Sequence, residues 1–365
     1  LNVIKTDTAA YIADEAQVNQ DDSFKTNEQS VRVTSDSATN MVTLGGSAGG
    51  AGAAAVGGVA SINVLTKNTK AYIGKDAEVD AVKDVEVTAD SSELIVSGAI
   101  TIHGAGAAAV SGVVSTNVVA NTTEAYIDAG ANVNSDGNVK LSATDDTLLI
   151  ALAGAGNGAG AAGVGGAIGL NTIINKTRAY IADSTDPNNP TIVNARGKAA
   201  GIEVFTGELG AQSQALPQGA WDEDKKIDID GDGKPDVAKV DKQPDVDKDG
   251  APDADVGGNI NFQLKGKGDE NNADVKKPVH MESTGLGSKK TESAKGLSIT
   301  AVSNEKVITV AMSVAGAGAA AVTGVASVNV IATQTEASIG SGAKINDSNN
   351  TAGDDQSVRL KAQGN

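Results

Sequence analysis

Two short Asp-rich motifs carry the residue types and the spacing that suit a bound metal ion. One begins at Asp228 and the other at Asp245, and both follow the pattern Asp-x-Asp-x-Asp-Gly-x-x-Asp. Carboxylates therefore stand at positions 1, 3, 5 and 9 of each loop, with a glycine at position 6 for a sharp turn. Ca²⁺ prefers about six to eight oxygen ligands from a short loop of this kind. The predicted calcium ligands are Asp228, Asp230, Asp232, Asp236, Asp245, Asp247, Asp249 and Asp253.

These loops depart from the EF-hand at position 12, where Lys239 and Val256 replace the bidentate Glu. Asp241 and Asp255 are the later carboxylates that remain available. The pattern resembles the calcium-binding Asp-rich repeats of thrombospondin type 3 and dockerin-like modules, and this resemblance implies Ca²⁺ as the bound ion. The competing interpretation is a solvated acidic linker. If calcium binds, we expect the segment to order only with the ion, because so many close carboxylates repel one another without it.

A Gly/Ala-rich tract repeats along the chain and sets the register of everything else. Gly50–Val56 returns at 104–110, 158–164 and 316–322. The first three copies therefore start at a constant interval, and a longer gap precedes the last copy. The motif Thr-x-Ala-Tyr-Ile keeps step at 8–12, 69–73, 123–127 and 177–181, with a copy lacking Tyr at 335–339. A fixed period of this kind is the signature of a repeat protein.

The repeat predicts an all-β fold. Strands such as Val85-Glu-Val-Thr-Ala89 alternate apolar and polar residues, and no helical pattern separates them. We therefore expect a parallel β-helix or β-solenoid of tandem repeats of about 54 residues, with one large inserted loop or small module. The predicted division is 1–206 for the first repeats, 207–296 for the insertion that holds the Asp motifs, and 297–365 for the continued repeats. One wide coil per repeat, or two to three ordinary coils, both remain open.

Two side-chain columns follow from this register, each with two interpretations. If equivalent positions stack, Asn63, Asn117 and Asn171 form an amide ladder; otherwise they bond to turn backbones. The four Tyr residues of the Thr-x-Ala-Tyr-Ile motif are expected to point outward. They either form an exposed aromatic stripe for sugar or protein contacts or pack under a neighbouring loop. These residues are Tyr11, Tyr72, Tyr126 and Tyr180.

Composition excludes several classes of protein. The net charge of −17 argues against nucleic-acid binding, which needs a basic surface. The chain has no cysteine, so disulfides and thiolate metal sites are absent. The stretches 94–123 and 147–174 carry almost no charge, which raises the alternative of a transmembrane helix. Their content of Ser, Thr, Asn, Gly and β-branched residues, and their place inside the repeat, favour buried strands lined by small side chains. We also expect the sequence to be part of a longer array, with targeting signals outside it.

The repeated Gly-Ala-Gly-Ala-Ala-Ala-Val tract, the Asn-Val pair and Thr-Glu-Ala-Tyr-Ile resemble the repeats of large secreted bacterial surface proteins, the leukotoxin-like filamentous adhesins. The resemblance covers 1–206 and 297–365, and it implies an extracellular fibre at the bacterial cell surface that adheres to a host or bacterial surface protein or glycan. The alternative is a self-assembling filament or surface-layer subunit. A polysaccharide-acting β-helix enzyme is the third possibility, but the acidic cluster has the pattern of a metal loop and lies in the insertion, so we expect no enzyme activity.

Overall fold

A computed structural model describes residues 1–209, 289–347 and 351–365. These residues form a β-solenoid, as the repeat predicts, and no α-helix is present among them. Three parallel five-stranded sheets run along the solenoid, and each coil contributes one strand to each sheet.

Two of the sheets are built from long strands and face each other. Sheet A contains, in spatial order, β1 (Asn2–Ile12), β4 (Ala54–Ile73), β7 (Ala108–Ile127), β10 (Ala162–Ile181) and β15 (Ala320–Ile339). Sheet C contains, in spatial order, β3 (Val31–Ala51), β6 (Val85–Ala105), β9 (Val139–Ala159), β14 (Gly296–Ala317) and β17 (Ser357–Gly364). Strands of about 20 residues extend about 65 Å, so the coil is wide and flat.

A short sheet closes one side of the coil. Sheet B contains, in spatial order, β2 (Gln17–Val18), β5 (Glu78–Ala81), β8 (Asn132–Ser135), β11 (Ile192–Ala195) and β16 (Lys344–Ile345). A 3₁₀ turn, η1 (Asp22–Phe24), lies in the longer loop of the first coil. The opposite side of the coil is closed by the Gly/Ala tract itself, which turns directly from sheet C into sheet A at residues such as Gly106 and Ala107.

The strand register shows what the repeat length means. Ile73 pairs with Ile127, and Val85 pairs with Val139, so each residue lies beside its equivalent in the next repeat. One repeat is therefore one wide coil, which decides the question that the sequence left open. The first coil, in which Ile12 pairs with Ile73, is longer than the next one because it contains the loop with η1.

The interior changes character along the strands. Next to sheet B lies an apolar cluster of Val, Ile, Leu and Ala residues that includes Ile73, Val85 and Leu141. A polar layer follows and then a second apolar cluster around Leu65 and Ile95. Beyond this cluster lie a layer of stacked Asn side chains and a third cluster made largely of alanines. Small side chains in this last cluster let the two sheets approach closely.

One strand leaves the repeat pattern. The sequence places Ile202–Thr206 in the first block of repeats, but β12 (Ile202–Leu209) pairs antiparallel with β13 (Lys289–Ala294). The position beside β9 in sheet C is taken by β14 instead. Both sequences suit a strand, but only the second continues without interruption into a full-length arm that can match β9. The domain division at 206/207 and 296/297 stays a prediction.

Candidate functional site

The eight predicted calcium ligands, from Asp228 to Asp253, lie outside the described residues. The strands that flank their segment are described. Leu209 pairs with Lys289, so the described residues on either side of the segment are neighbours. The hairpin β12–β13 is attached to β17 by an ion pair between Glu292 and Arg359. Calcium binding by the Asp motifs therefore stays a prediction.

The four Tyr side chains form a continuous stack on the outside of sheet A. Successive ring centroids are 5.0, 4.9 and 5.0 Å apart, and the ring planes differ by at most 8°. Parallel strands in register impose this spacing, because each Tyr stands above its equivalent in the preceding coil. The ring faces cover one another, so the stack presents ring edges and hydroxyl groups instead of flat faces for a sugar. The sequence-based expectation of an outward column is met, but by mutual stacking instead of loop packing.

A row of charges lies beside this Tyr stack. Glu124 Oε1 accepts a hydrogen bond of 2.5 Å from Arg178, and Glu124 Oε2 lies 3.0 Å from Lys70 Nζ. Burial alone would raise the pKa of Glu124, but the hydrogen bonds from Arg178 and Lys70 outweigh it and lower that pKa. The Arg178 guanidinium also lies 4.7 Å from the centre of the Tyr180 ring. Burial raises the pKa of Tyr180 to about 12, so this hydroxyl stays protonated at neutral pH.

The Asn column inside the solenoid is the amide ladder. The Nδ2 atom of Asn63 donates to Asn117 Oδ1 at 2.7 Å, and Asn117 donates to Asn171 at 2.8 Å. Asn2 and Asn329 extend the ladder to the first and last coils, with hydrogen bonds of 2.8 Å each. All five side chains thus join consecutive coils, and the alternative of turn capping does not apply.

A buried ionisable layer separates the first two apolar clusters. Lys67 Nζ lies 2.6 Å from Glu93 Oε1, and both side chains are almost completely buried. Asp145, in the next coil, is completely buried and accepts hydrogen bonds from Thr123 and Asn175. Burial raises the pKa of Asp145 well above its usual range, and the nearby Glu93 charge adds to this shift.

Glu305 continues the layer into the following coil. Its Oε1 atom accepts hydrogen bonds from Asn175 at 3.1 Å and from the Ser303 hydroxyl. Burial raises the pKa of Glu305 as well. This layer was not predicted from the sequence, although a signal was present: Lys67 has the inward parity of Leu65 and Thr69, which a strand with period two places in the core.

His103 is the histidine that the structure describes. It is buried between the sheets, and its Nε2 atom lies 3.4 Å from the Ser47 hydroxyl. Gly57 faces the imidazole from the opposite sheet, and a Cβ atom there would lie 1.9 Å from the ring. The ring occupies space that a glycine leaves free. His280 lies outside the described residues.

Within 1–209, 289–347 and 351–365, no group of three or more His, Asp or Glu side chains is arranged to hold a metal ion. No helix in these ranges is long and apolar enough to cross a membrane. Comparisons with known proteins give no match to a family model, to a curated protein or to a solved structure. The candidate functional features of the described chain are therefore its ladders, its outer surfaces and the hairpin that leads to the Asp motifs.

Proposed function

We propose that this chain is a structural and adhesive segment of an extracellular bacterial fibre, stabilised by calcium in its insertion. The observation that carries the proposal is the unbroken register of the five coils. The Asn ladder, the Tyr stack and three parallel sheets all repeat along one axis. A longer array of such coils would extend as a fibre of constant cross-section, since each coil contacts only its neighbours.

The hairpin β12–β13 supports the adhesive part of the proposal. Its two strands are antiparallel and lie outside the parallel sheets, and the sequence between Leu209 and Lys289 contains Asp228 and Asp245. The sequence of a segment inserted at such a point can vary without disturbing the coils, as is common for binding loops on a rigid scaffold. Calcium at the Asp motifs would order this segment for contact with a surface protein or glycan.

The test compares the full chain with a chain in which residues 210–288 are replaced by a short Gly-Asn turn between Leu209 and Lys289, which the pairing of these two residues permits. We expect the full chain to bind to an array of glycans and matrix proteins in Ca²⁺ and to lose that binding in chelator. The shortened chain keeps its β-rich circular dichroism spectrum and does not bind. Equal binding by both chains, or binding by neither, would rule out an adhesive insertion.

Calorimetry tests the calcium part separately. Titration with Ca²⁺ is expected to give heat with the full chain and none with a variant in which the first three Asp residues of both motifs become Asn, namely Asp228, Asp230, Asp232, Asp245, Asp247 and Asp249. A matched variant, Asp21→Asn with Asp22→Asn in the loop of the first coil, is expected to titrate like the parent chain. The absence of heat at millimolar Ca²⁺ would remove calcium from the proposal and leave the fibre proposal standing.

The second candidate is a self-assembling filament. The outermost strands of sheet A are β1 and β15, and each has a neighbour on one side only. Strand edges of this kind can pair with another copy. Electron micrographs that show long fibres growing with protein concentration would favour this candidate, and fibres lost in chelator would place the Asp motifs at the joint.

A further inference from the structure

The half of the solenoid that lies away from sheet B carries no Asp, Glu, Lys or Arg in the described coils. We call this region the charge-free margin. Each of its four parts is a β-arch: one arm lies in sheet C, the Gly/Ala turn follows, and the other arm lies in sheet A. Its residues are 37–66, 94–123, 147–175 and 307–335.

The margin is apolar on both of its outer faces. Ile168, Leu170 and Ile174 are exposed on the outside of sheet A. Leu152 and Met312 are exposed on the outside of sheet C. The Asn ladder of this region points to the inside of the coil, where its side chains bond to one another. The margin is therefore apolar on the outside as well as in the two clusters inside it, whereas the outer faces of a water-soluble sandwich are polar.

The boundary of the margin falls at the same height on both faces. Lys67 Nζ contacts the carbonyl oxygens of Ser37 and Ser92 across the coil, which shows which rows of the two sheets stand opposite each other. Directly beyond this level the outside of sheet A carries Glu124 and its partners, in the row next to the Tyr stack. The outside of sheet C carries acidic residues near the same level: Asp36 and Asp90 lie in one row, and Asp146 lies in the next outward row.

We propose that the charge-free margin inserts into the hydrocarbon region of a lipid bilayer, with the row of charges and Tyr residues at the interface. A flat protein partner would cover one face, whereas a surrounding apolar medium covers both faces and the turn at once. Backbone groups of inner strands such as β7 and β9 are paired on both sides, as lipid requires, whereas the open edges of β3, β14 and β15 have to pair with further coils of the array. Tyr residues are typical of the boundary between hydrocarbon and water.

The dimensions agree with this proposal. An arm from Leu94 to Ala105 extends about 35 Å, and the hydrocarbon core of a bilayer is about 30 Å thick. The Gly/Ala turn at the end of the arm has no charged side chain that would have to be carried into lipid. The one titratable side chain of the margin, His103, is buried inside the coil. This proposal is independent of calcium and of adhesion by the insertion.

The test is flotation of the full chain with liposomes of pure phosphatidylcholine. We expect the protein to rise with the liposomes and to stay with them in high salt, since no charge pairing is involved. Ile168→Lys and Leu152→Lys place one charge on each outer face, at exposed positions that tolerate Lys in water. Each is expected to reduce partitioning by about tenfold or more, because a charge on a lipid-facing strand is costly. Thr88→Lys, outward in the charged half of sheet C, is the matched control and is expected to partition like the parent chain.

Sedimentation of the same proteins without lipid tests whether a second copy of the chain, instead of lipid, covers the margin. The proposal requires that the parent chain floats and that Ile168→Lys and Leu152→Lys stay in solution while keeping the parent circular dichroism spectrum. Failure of the parent chain to float would overturn it. Dimers or larger assemblies that form without lipid and disappear in both Lys variants would overturn it too, since a second copy would then cover the margin. Loss of flotation in high salt would show that charge, and not the margin, holds the lipid.

Discussion

The hydrogen bonds around Asp145 indicate where its proton resides. The Thr147 hydroxyl lies 2.9 Å from Glu93 Oε2 and 3.2 Å from Asp145 Oδ1, and it has one proton to donate. Glu93, which is paired with Lys67, accepts this hydrogen bond from Thr147. Asp145 has no cation of its own in the layer, whose charged groups are Lys67, Glu93 and Glu305. A neutral Asp145 that donates to Thr147 leaves neither of these two side chains without a partner, in agreement with the raised pKa of Asp145.

Asp145→Asn is therefore expected to become more stable than the parent chain as pH rises. The folded-state pKa of Asp145 lies above its unfolded value of 3.8, so its contribution is fully present below pH 3.8 and is lost as pH rises through the folded pKa. Within that window the parent chain should lose about 1.4 kcal/mol per pH unit relative to the variant. Urea unfolding of both chains from pH 4 to pH 8 measures this difference. Asp36→Asn, on an exposed outer position, is the control, and an equal pH dependence of the parent chain and Asp145→Asn would contradict the protonated state.

The contact between Gly57 and His103 gives a second prediction at this scale. Gly57→Ala would place a methyl group 1.9 Å from the imidazole ring, so the ring must move or the sheets must separate locally, at a cost of about 1–3 kcal/mol. Gly112→Ala, at an outward position in the next coil with no atom within 4 Å, is expected to be neutral or to stabilise by about 0.5 kcal/mol. Thermal unfolding of the two variants measures the contrast. Equal midpoints for both would show that the ring does not occupy this space.

Among the structural elements, the Asn ladder joins the strands of sheet A in addition to their backbone hydrogen bonds. Asn117 is buried, accepts from Asn63 and donates to Asn171. In contrast, Asn329 is exposed at the end of the ladder and accepts from Asn171 and Thr309. The contribution of a ladder Asn to the free energy of unfolding is therefore expected to differ between inner and terminal coils.

Replacing an inner ladder residue is expected to cost more than replacing a terminal one. Asn117→Ala leaves the buried Asn171 Oδ1 acceptor without its partner, at about 1–3 kcal/mol, and leaves Asn63 Nδ2 with its bond to Ser97 alone. Asn329→Ala exposes its former partners to water and is expected to cost less than about 1 kcal/mol. Hydrogen exchange of the β4, β7 and β10 amides, together with urea unfolding, measures both effects. A larger loss in Asn329→Ala would show that the ladder does not act through burial.

Across the solenoid as a whole, the Gly/Ala turns control how closely the coils stack. A Cβ atom on Gly106 would lie 2.2 Å from the carbonyl oxygen of Gly52 in the coil before it, and a similar contact recurs between Gly160 and Gly106. Gly52 itself, in the first coil, has no atom within 4 Å of its Cβ position. Close stacking of the turns thus requires a glycine at this position in every coil that follows another.

Gly106→Ala is expected to open the stack at its turn, whereas Gly52→Ala is expected to leave it intact. Because the contact is with backbone and not with a flexible side chain, the coil must shift, at a cost of about 1–3 kcal/mol. Unfolding midpoints report the loss, and limited proteolysis near residues 104–108 reports where the stack opens. Identical proteolysis patterns for the two variants would contradict the role of the turn.

The repeat, the all-β solenoid and the equivalence of positions in successive repeats could all be predicted from the amino-acid sequence. These features follow from a fixed period and from strands of period two, which are local properties of the chain. The number of coils per repeat could not be predicted, because one long strand and several short strands have the same alternation of side chains. Nor could β12 be distinguished from β14 as the neighbour of β9, since both begin with a similar strand sequence.

The folded coil alone establishes which side chains meet between the two sheets. The sequence offered the Asn residues either as a ladder or as turn caps, and stacking of the coils in register made the ladder. Lys67, Glu93 and Asp145 are distant along the chain, and their common layer exists because sheets A and C face each other at that height. The charge-free stretches looked like candidates for single buried segments, yet folding each one in half at a glycine turn gave an apolar margin with two outer faces.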